Sequence, residues 1–113
     1  MASRTRIEQD LTAAMKARDP VATRALRSLL AAIGNAEAVD VVADPNSGPI
    51  GAFAADVRRS ELDDADVARI LAAETDERRE AIDTYRRVGR PDMVEAMEAE
   101  IEVLSRYGPH DMF

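Results

Sequence analysis

The sequence predicts an all-α fold, a small bundle of about four helices with an antiparallel carboxy-terminal helical hairpin and one long loop between helices 2 and 3. Three observations predict it. Apolar residues return every three or four positions in four separate segments. Residues that start or stop helices bracket each segment. Gly89-Arg90-Pro91 is so short a link that the last two helices must be antiparallel neighbours.

The first helix is expected over about 4–18, with Ser3 as its cap and Ile7, Leu11, Ala14 and Met15 on one side. Asp19-Pro20 sets a cap residue before a proline at the first helical position, which starts a second helix over about 20–38. Its face is Leu26, Leu29, Leu30 and Ile33, four residues within roughly 100° of arc, with Arg24, Arg27 and Asn35 pointing elsewhere.

From about 39 to 62 the periodicity disappears, and Asp44-Pro45-Asn46-Ser47-Gly48-Pro49 and Gly51 signal turns. A compact loop packed by Val39, Val41, Val42, Ile50 and Phe53 is the preferred reading, and two very short strands are the alternative. Asp63 or Asp64 then caps a third helix over about 64–88, whose acidic first turn suits the positive end of the helix dipole. Val67, Ile70, Leu71, Ile82 and Tyr85 form its stripe, and Gly89 stops it. Pro91 opens a fourth helix over about 91–107, with Met93, Met97, Ile101 and Leu104 on one face and Gly108-Pro109 at its end.

The 113 residues are enough for one hydrophobic core and hardly for two, so a single domain over 1–113 is expected. The absence of cysteine removes disulfides, thiolate nucleophiles and thiolate metal sites, and suits a reducing, cytoplasmic setting. His110 is the only histidine, which argues against a histidine-rich metal site or a Ser-His-Asp triad. No stretch approaches the ~20 apolar residues that span a bilayer, and no membrane role is expected. The net charge of −7 is uneven: residues 1–27 carry six basic and three acidic side chains, residues 91–113 one basic and six acidic. Broad, non-specific nucleic-acid binding is thereby disfavoured, while local contact through the basic amino-terminal third stays open.

Glu37, Glu74 and Glu100 fall within the apolar stripes of helices two, three and four. A buried carboxylate needs partners, and Arg78, four residues after Glu74 on the same stripe, is the obvious one. With Tyr85 beside them, these residues read either as a polar pocket between helices able to bind an amide, amine or ribose, or as an ion-pair network at the core edge, the more ordinary arrangement. Arg79, Arg86 and Arg90 form a second stripe on the opposite side of helix three. Asp76 and Asp83 flank it, so a solvated, salt-bridged face is the better reading than a phosphate strip. Arg24 and Arg27 are less neutralised, with only Asp19 near. Met93 and Met97 read as core filler before a binding surface. No glycine-rich phosphate loop, His-Glu metal spacing or nucleophile elbow occurs.

Taken together, LTAAMKARD from Leu11 to Asp19, LRSLLAAIGNAE from Leu26 to Glu37 and RREAIDTYRRVGRPD from Arg78 to Asp92, continued by Glu98-Ala-Glu100 and Leu104-Ser-Arg-Tyr107-Gly-Pro109, resemble the YqeY-like proteins. Those are relatives of the carboxy-terminal region of the GatB subunit of tRNA-dependent amidotransferases. The quoted stretches stop short of the second helical subdomain that family members usually carry, and the Pro/Gly-rich loop departs from the family pattern. Glu37, Arg78, Tyr85, Gly89, Arg90 and Glu100 stand where that pattern has similar residues.

The resemblance implies an all-helical fold and a link to a carbon–nitrogen ligase activity that uses glutamine as amido-N donor. In the larger subunit the helical tail helps hold tRNA while other domains perform the chemistry. Because the sequence shows no nucleophile with an activating base and no metal-ligand set, the expectation for this chain is a non-catalytic accessory without cofactor or metal. Such a protein is expected to contact tRNA or an amidotransferase subunit through residues such as Arg24, Arg27, Arg79, Arg86 and Arg90. The alternative is a helical interaction module that binds a protein partner, or a second copy of itself, through an apolar groove beside helices three and four.

Overall fold

The computed structural model describes residues 4–43 and 62–108, with only the backbone of residues 39–43. Four helices succeed one another there, α1 (Arg4–Lys16), α2 (Pro20–Ala43), α3 (Asp64–Arg87) and α4 (Pro91–Ser105), and no strand occurs among the described residues. The Ser3 cap, most of the expected loop with its short-strand alternative, and His110 lie outside them.

Each boundary has a local cause. Asp19 accepts a hydrogen bond from the Ala22 N–H at 3.1 Å and so caps α2, ahead of Pro20. At α3 a reciprocal pair does the same: Asp63 accepts from the Asp66 N–H at 2.8 Å, and the Asp66 carboxylate accepts from the Asp63 N–H at 3.2 Å. The Asp66 N–H holds the Asp63 carboxyl below the usual carboxylate range.

Two helices stop by the same device and different residues. After α3, Gly89 takes φ 71°, so that Arg90 N–H reaches the Tyr85 carbonyl at 2.8 Å and Gly89 N–H the Arg86 carbonyl at 3.3 Å. After α1, Arg18 takes φ 54°, with Asp19 N–H on the Ala14 carbonyl at 3.0 Å and Arg18 N–H on the Met15 carbonyl at 3.2 Å. The second is the glycine-type stop carried out by an arginine, a conformation that costs a residue with a Cβ about 1 kcal/mol.

The end of α2 corrects the sequence reading, which closed it near Ala38; it continues to Ala43. The β-branched residues of Val39-Asp40-Val41-Val42 weaken a helix by only tenths of a kcal/mol each, and Pro45 is the first residue that a helix interior excludes. The other ends fall within two residues of expectation, α4 finishing at Ser105 with Arg106 and Tyr107 in a turn after it.

α2 is the central element: α1, α3 and α4 all pack on it, and α3 and α4 pack on each other as the expected antiparallel hairpin. The core is built from Ile7 and Ala14 of α1, Ala22, Ala25, Leu26, Leu29 and Ile33 of α2, Leu71 of α3, and Val103, Leu104 and Tyr107 around the end of α4. Four residues expected on apolar faces stay out of the buried core. Met15, at the end of α1, is 49% exposed. On α4 the buried stripe runs through Glu100, Val103 and Leu104, which leaves Met93, Met97 and Ile101 half-buried.

Candidate functional site

The polar cluster forms where α2, α3 and α4 meet. Glu74 and Arg78 occupy successive turns of α3 in the middle of its buried stripe, and Glu100 faces them from α4. All three are buried, Glu100 to 3% exposure. Arg78 holds the cluster together. Its Nε donates to Glu100 Oε1 at 3.0 Å, and its Nη1 donates to Glu74 Oε1 at 3.2 Å and to the Glu74 carbonyl at 2.9 Å.

From α2, the Ser28 hydroxyl donates to Glu74 Oε1 at 2.5 Å and Arg24 Nε donates to Glu100 Oε2 at 3.4 Å. Two carboxylates and two guanidinium groups leave the cluster neutral, and no buried side-chain nitrogen or oxygen among the described residues lacks a partner. Satisfaction of that kind is what makes buried charge tolerable. Above the cluster opens a cleft of about 650 Å³, lined by Arg24 and Ser28, by Glu77, Arg78 and Ala81, and by Met93, Ala96, Met97 and Glu100.

Two members of the expected cluster are not part of it. Glu37 is nine residues beyond Ser28, about 14 Å farther along the axis of α2, and pairs with Arg4 of α1. Tyr85, seven residues past Arg78, is half-buried and takes part in none of these hydrogen bonds. Ser28 and the inward role of Arg24 were missed. The available signal was faint: Arg24 and Ser28 share one edge of α2 at four-residue spacing, but nothing in the sequence says that α3 and α4 face that edge.

The five arginines expected to touch a partner divide into two groups. Arg79, Arg86 and Arg90 are each matched by a carboxylate: Asp76 at 3.6 Å, Glu98 of α4 at 3.7 Å and Asp92 at 3.2 Å. Asp83 was expected to neutralise Arg86, and Glu98 does so instead, because the hairpin folds α4 alongside. The Arg90–Asp92 pair has two parallel contacts, which hold the Asp92 carboxyl below its usual range.

On α2 the balance is different. Arg24 is anchored through Nε alone, and its side chain is 58% exposed. Arg27 is exposed, and its recorded partner is the Met15 sulfur at 3.8 Å, a weak acceptor. That contact brings Arg27 to the end of α1, beside exposed Lys16 and Arg18, neither with a carboxylate partner among the described residues. Residues 15–28 carry four basic side chains and one acidic, and the acid, Asp19, already caps α2. The α1–α2 corner is therefore a local cationic surface on an acidic chain. Lys16 and Arg18 were not singled out from the sequence, although they stand in its basic third.

A third polar contact ties the ends of the fold. Tyr107 donates to Asp10 Oδ2 at 2.5 Å, and Arg6, itself 3.8 Å from that carboxylate, lies 5.7 Å from the centre of the tyrosine ring. Burial, and then the bond to Asp10, push the Tyr107 hydroxyl well above its ordinary pKa. Among the described residues no group of histidines and carboxylates has the arrangement to hold a metal ion, and no helix is long and apolar enough to cross a membrane.

Comparison with known proteins gives one family. Residues 51–113, which include all of α3 and α4 and the Arg78–Glu100 half of the cluster, match the family model described as Yqey-like protein. No curated protein and no solved structure matches the chain. A match over more than half of the residues, on the hairpin that the short link predicts, makes this chain a member of the YqeY-like family.

Proposed function

We propose that the chain is a non-catalytic, cytoplasmic accessory of tRNA-dependent amidotransferase biology and that it contacts RNA through the α1–α2 corner. The supporting observation is the contrast in pairing. Arg27, with Lys16 and Arg18 beside it, has no carboxylate among the described residues, whereas Arg79, Arg86 and Arg90 each have one. Unpaired cations are the groups that gain most from a phosphate, because no existing ion pair has to be given up. A non-catalytic role fits the cluster as well. Glu74 and Glu100 already accept from Arg78, Arg24 and Ser28, so neither is available as a general base.

Titration of unmodified tRNA against the full chain over a range of salt tests this. Four phosphate contacts give a slope of log K on log salt near −3, and Arg27→Ala lowers it by nearly one unit. Absence of binding at low salt would overturn the reading. A protein-interaction module is the second reading. It is favoured by an apolar cleft of about 320 Å³ between the first half of α3 and the end of α4, lined by Val67, Ala68, Leu71, Leu104 and Tyr107.

A further inference from the structure

We propose that the open cleft between α2, α3 and α4 is a nucleotide pocket, which takes one unstacked base of a single-stranded segment while Arg24 holds its phosphate. The inference rests on the RNA reading above and adds to it a place and a ligand class.

The cleft combines three features that a nucleotide needs. Its α4 wall presents half-buried Met93, Ala96 and Met97, and the thioethers of the two methionines suit contact with an aromatic ring. Its mouth carries Arg24. Glu100 fixes that guanidinium through Nε, while both terminal nitrogens have no partner among the described residues, which is the fork geometry that takes two oxygens of one phosphate. Its rim also holds Glu77, exposed and unpaired among the described residues, as an acceptor for an exocyclic amino group.

The floor asks for nothing, since Arg78 and Glu100 satisfy each other. A ligand therefore binds over the ion network without breaking it. The pocket is also continuous with the cationic corner. At 100° per residue Ser28 lies 40° to one side of Arg24 and Arg27 60° to the other, so Arg24 stands between the cleft and Arg27. A strand with one base in the cleft runs its next phosphates along Arg24 and Arg27 toward Lys16. The bases of a duplex are stacked inside and cannot enter.

The test uses the full chain, a mixed-sequence RNA hexamer with a central 2-aminopurine, and the duplex of the same hexamer. Ala96→Trp fills the cleft without changing charge. Met93→Glu, at the third position of α4 where an acid suits the helix, sets a carboxylate against the base and serves if the tryptophan disturbs packing. The pocket predicts enhanced 2-aminopurine emission on binding. It also predicts that either variant, with its thermal unfolding unchanged, lowers hexamer affinity about tenfold or more and leaves duplex affinity within about twofold. If folded variants bind the hexamer as tightly as the parent while Arg27→Ala still weakens it, the pocket is wrong and the corner stands. Failure of tRNA, hexamer and duplex alike to bind at low salt overturns both.

Discussion

The arginines of α2 and those along the outer side of α3 look alike in the sequence and differ in kind once the chain is folded. Along α3 and the link that follows it, each of Arg79, Arg86 and Arg90 sits 3.2–3.7 Å from a carboxylate, so the stripe is a zwitterionic surface. On α2, Arg24 keeps one nitrogen on the buried Glu100 and offers the rest to solvent, and exposed Arg27 has only the Met15 sulfur as a partner among the described residues. What matters for recognition is the charge left after pairing. That quantity depends on which helix is folded alongside, and a count of cations does not report it.

The comparison can be broken first at the ion network, where the largest effect is expected. Arg78→Ala leaves Glu74 and Glu100 buried with their main donor gone and should destabilise the fold by about 3–5 kcal/mol in denaturant unfolding. A loss below about 0.5 kcal/mol would mean that the cluster is hydrated and that Arg24 has no rigid anchor. Next comes Tyr107→Phe, which removes the bond to Asp10 and should cost about 1 kcal/mol.

The same tyrosine gives a pH prediction. Its hydroxyl pKa is raised in the folded chain above the unfolded value near 10.0, so its contribution is complete below pH 10 and falls away as pH rises beyond it. The melting temperature should drop above pH 10 in the parent, and that drop should shrink in Tyr107→Phe.

Arg18→Gly sharpens the comparison from the other side. Glycine relieves the φ 54° backbone and should add up to about 1 kcal/mol of stability, while RNA affinity falls because one corner cation is lost. Stability and binding moving in opposite directions would mark Arg18 as strain kept at a functional position. The smallest effect is expected for Arg86→Ala, within about 0.5 kcal/mol in stability and without change in RNA affinity, because its pair with Glu98 is exposed on both sides.

Local signals carried the fold. The Asp19-Pro20 start of α2, the Asp63 cap, the Gly89 stop and the Pro91 start each act within a few residues, and each was readable before any packing was known. Glu74 and Arg78 were legible for the same reason, being four residues apart on one stripe. Their link to Glu100 was also within reach, given the hairpin. Three features were not legible because they depend on distant segments meeting. These are the bond of Tyr107 to Asp10, 97 residues apart, the reach of Arg24 to Glu100 across 76, and the departure of Glu37 toward Arg4. Periodicity gives a residue's angle around its own helix and leaves open which neighbour covers that angle. Met93 and Met97 were assigned to the core for that reason and line a cleft instead.

The contrast between the two arginine sets is tested most directly by two double variants that change net charge equally, Arg24→Ala with Arg27→Ala, and Arg79→Ala with Arg86→Ala, each titrated with the same tRNA over a salt series. The corner pair should lose affinity by about tenfold or more, with the slope of log K on log salt reduced by nearly two, and the α3 pair should stay within about twofold of the parent. Equal losses for the two pairs, or a larger loss for the α3 pair, would contradict the assignment of RNA contact to the α1–α2 corner.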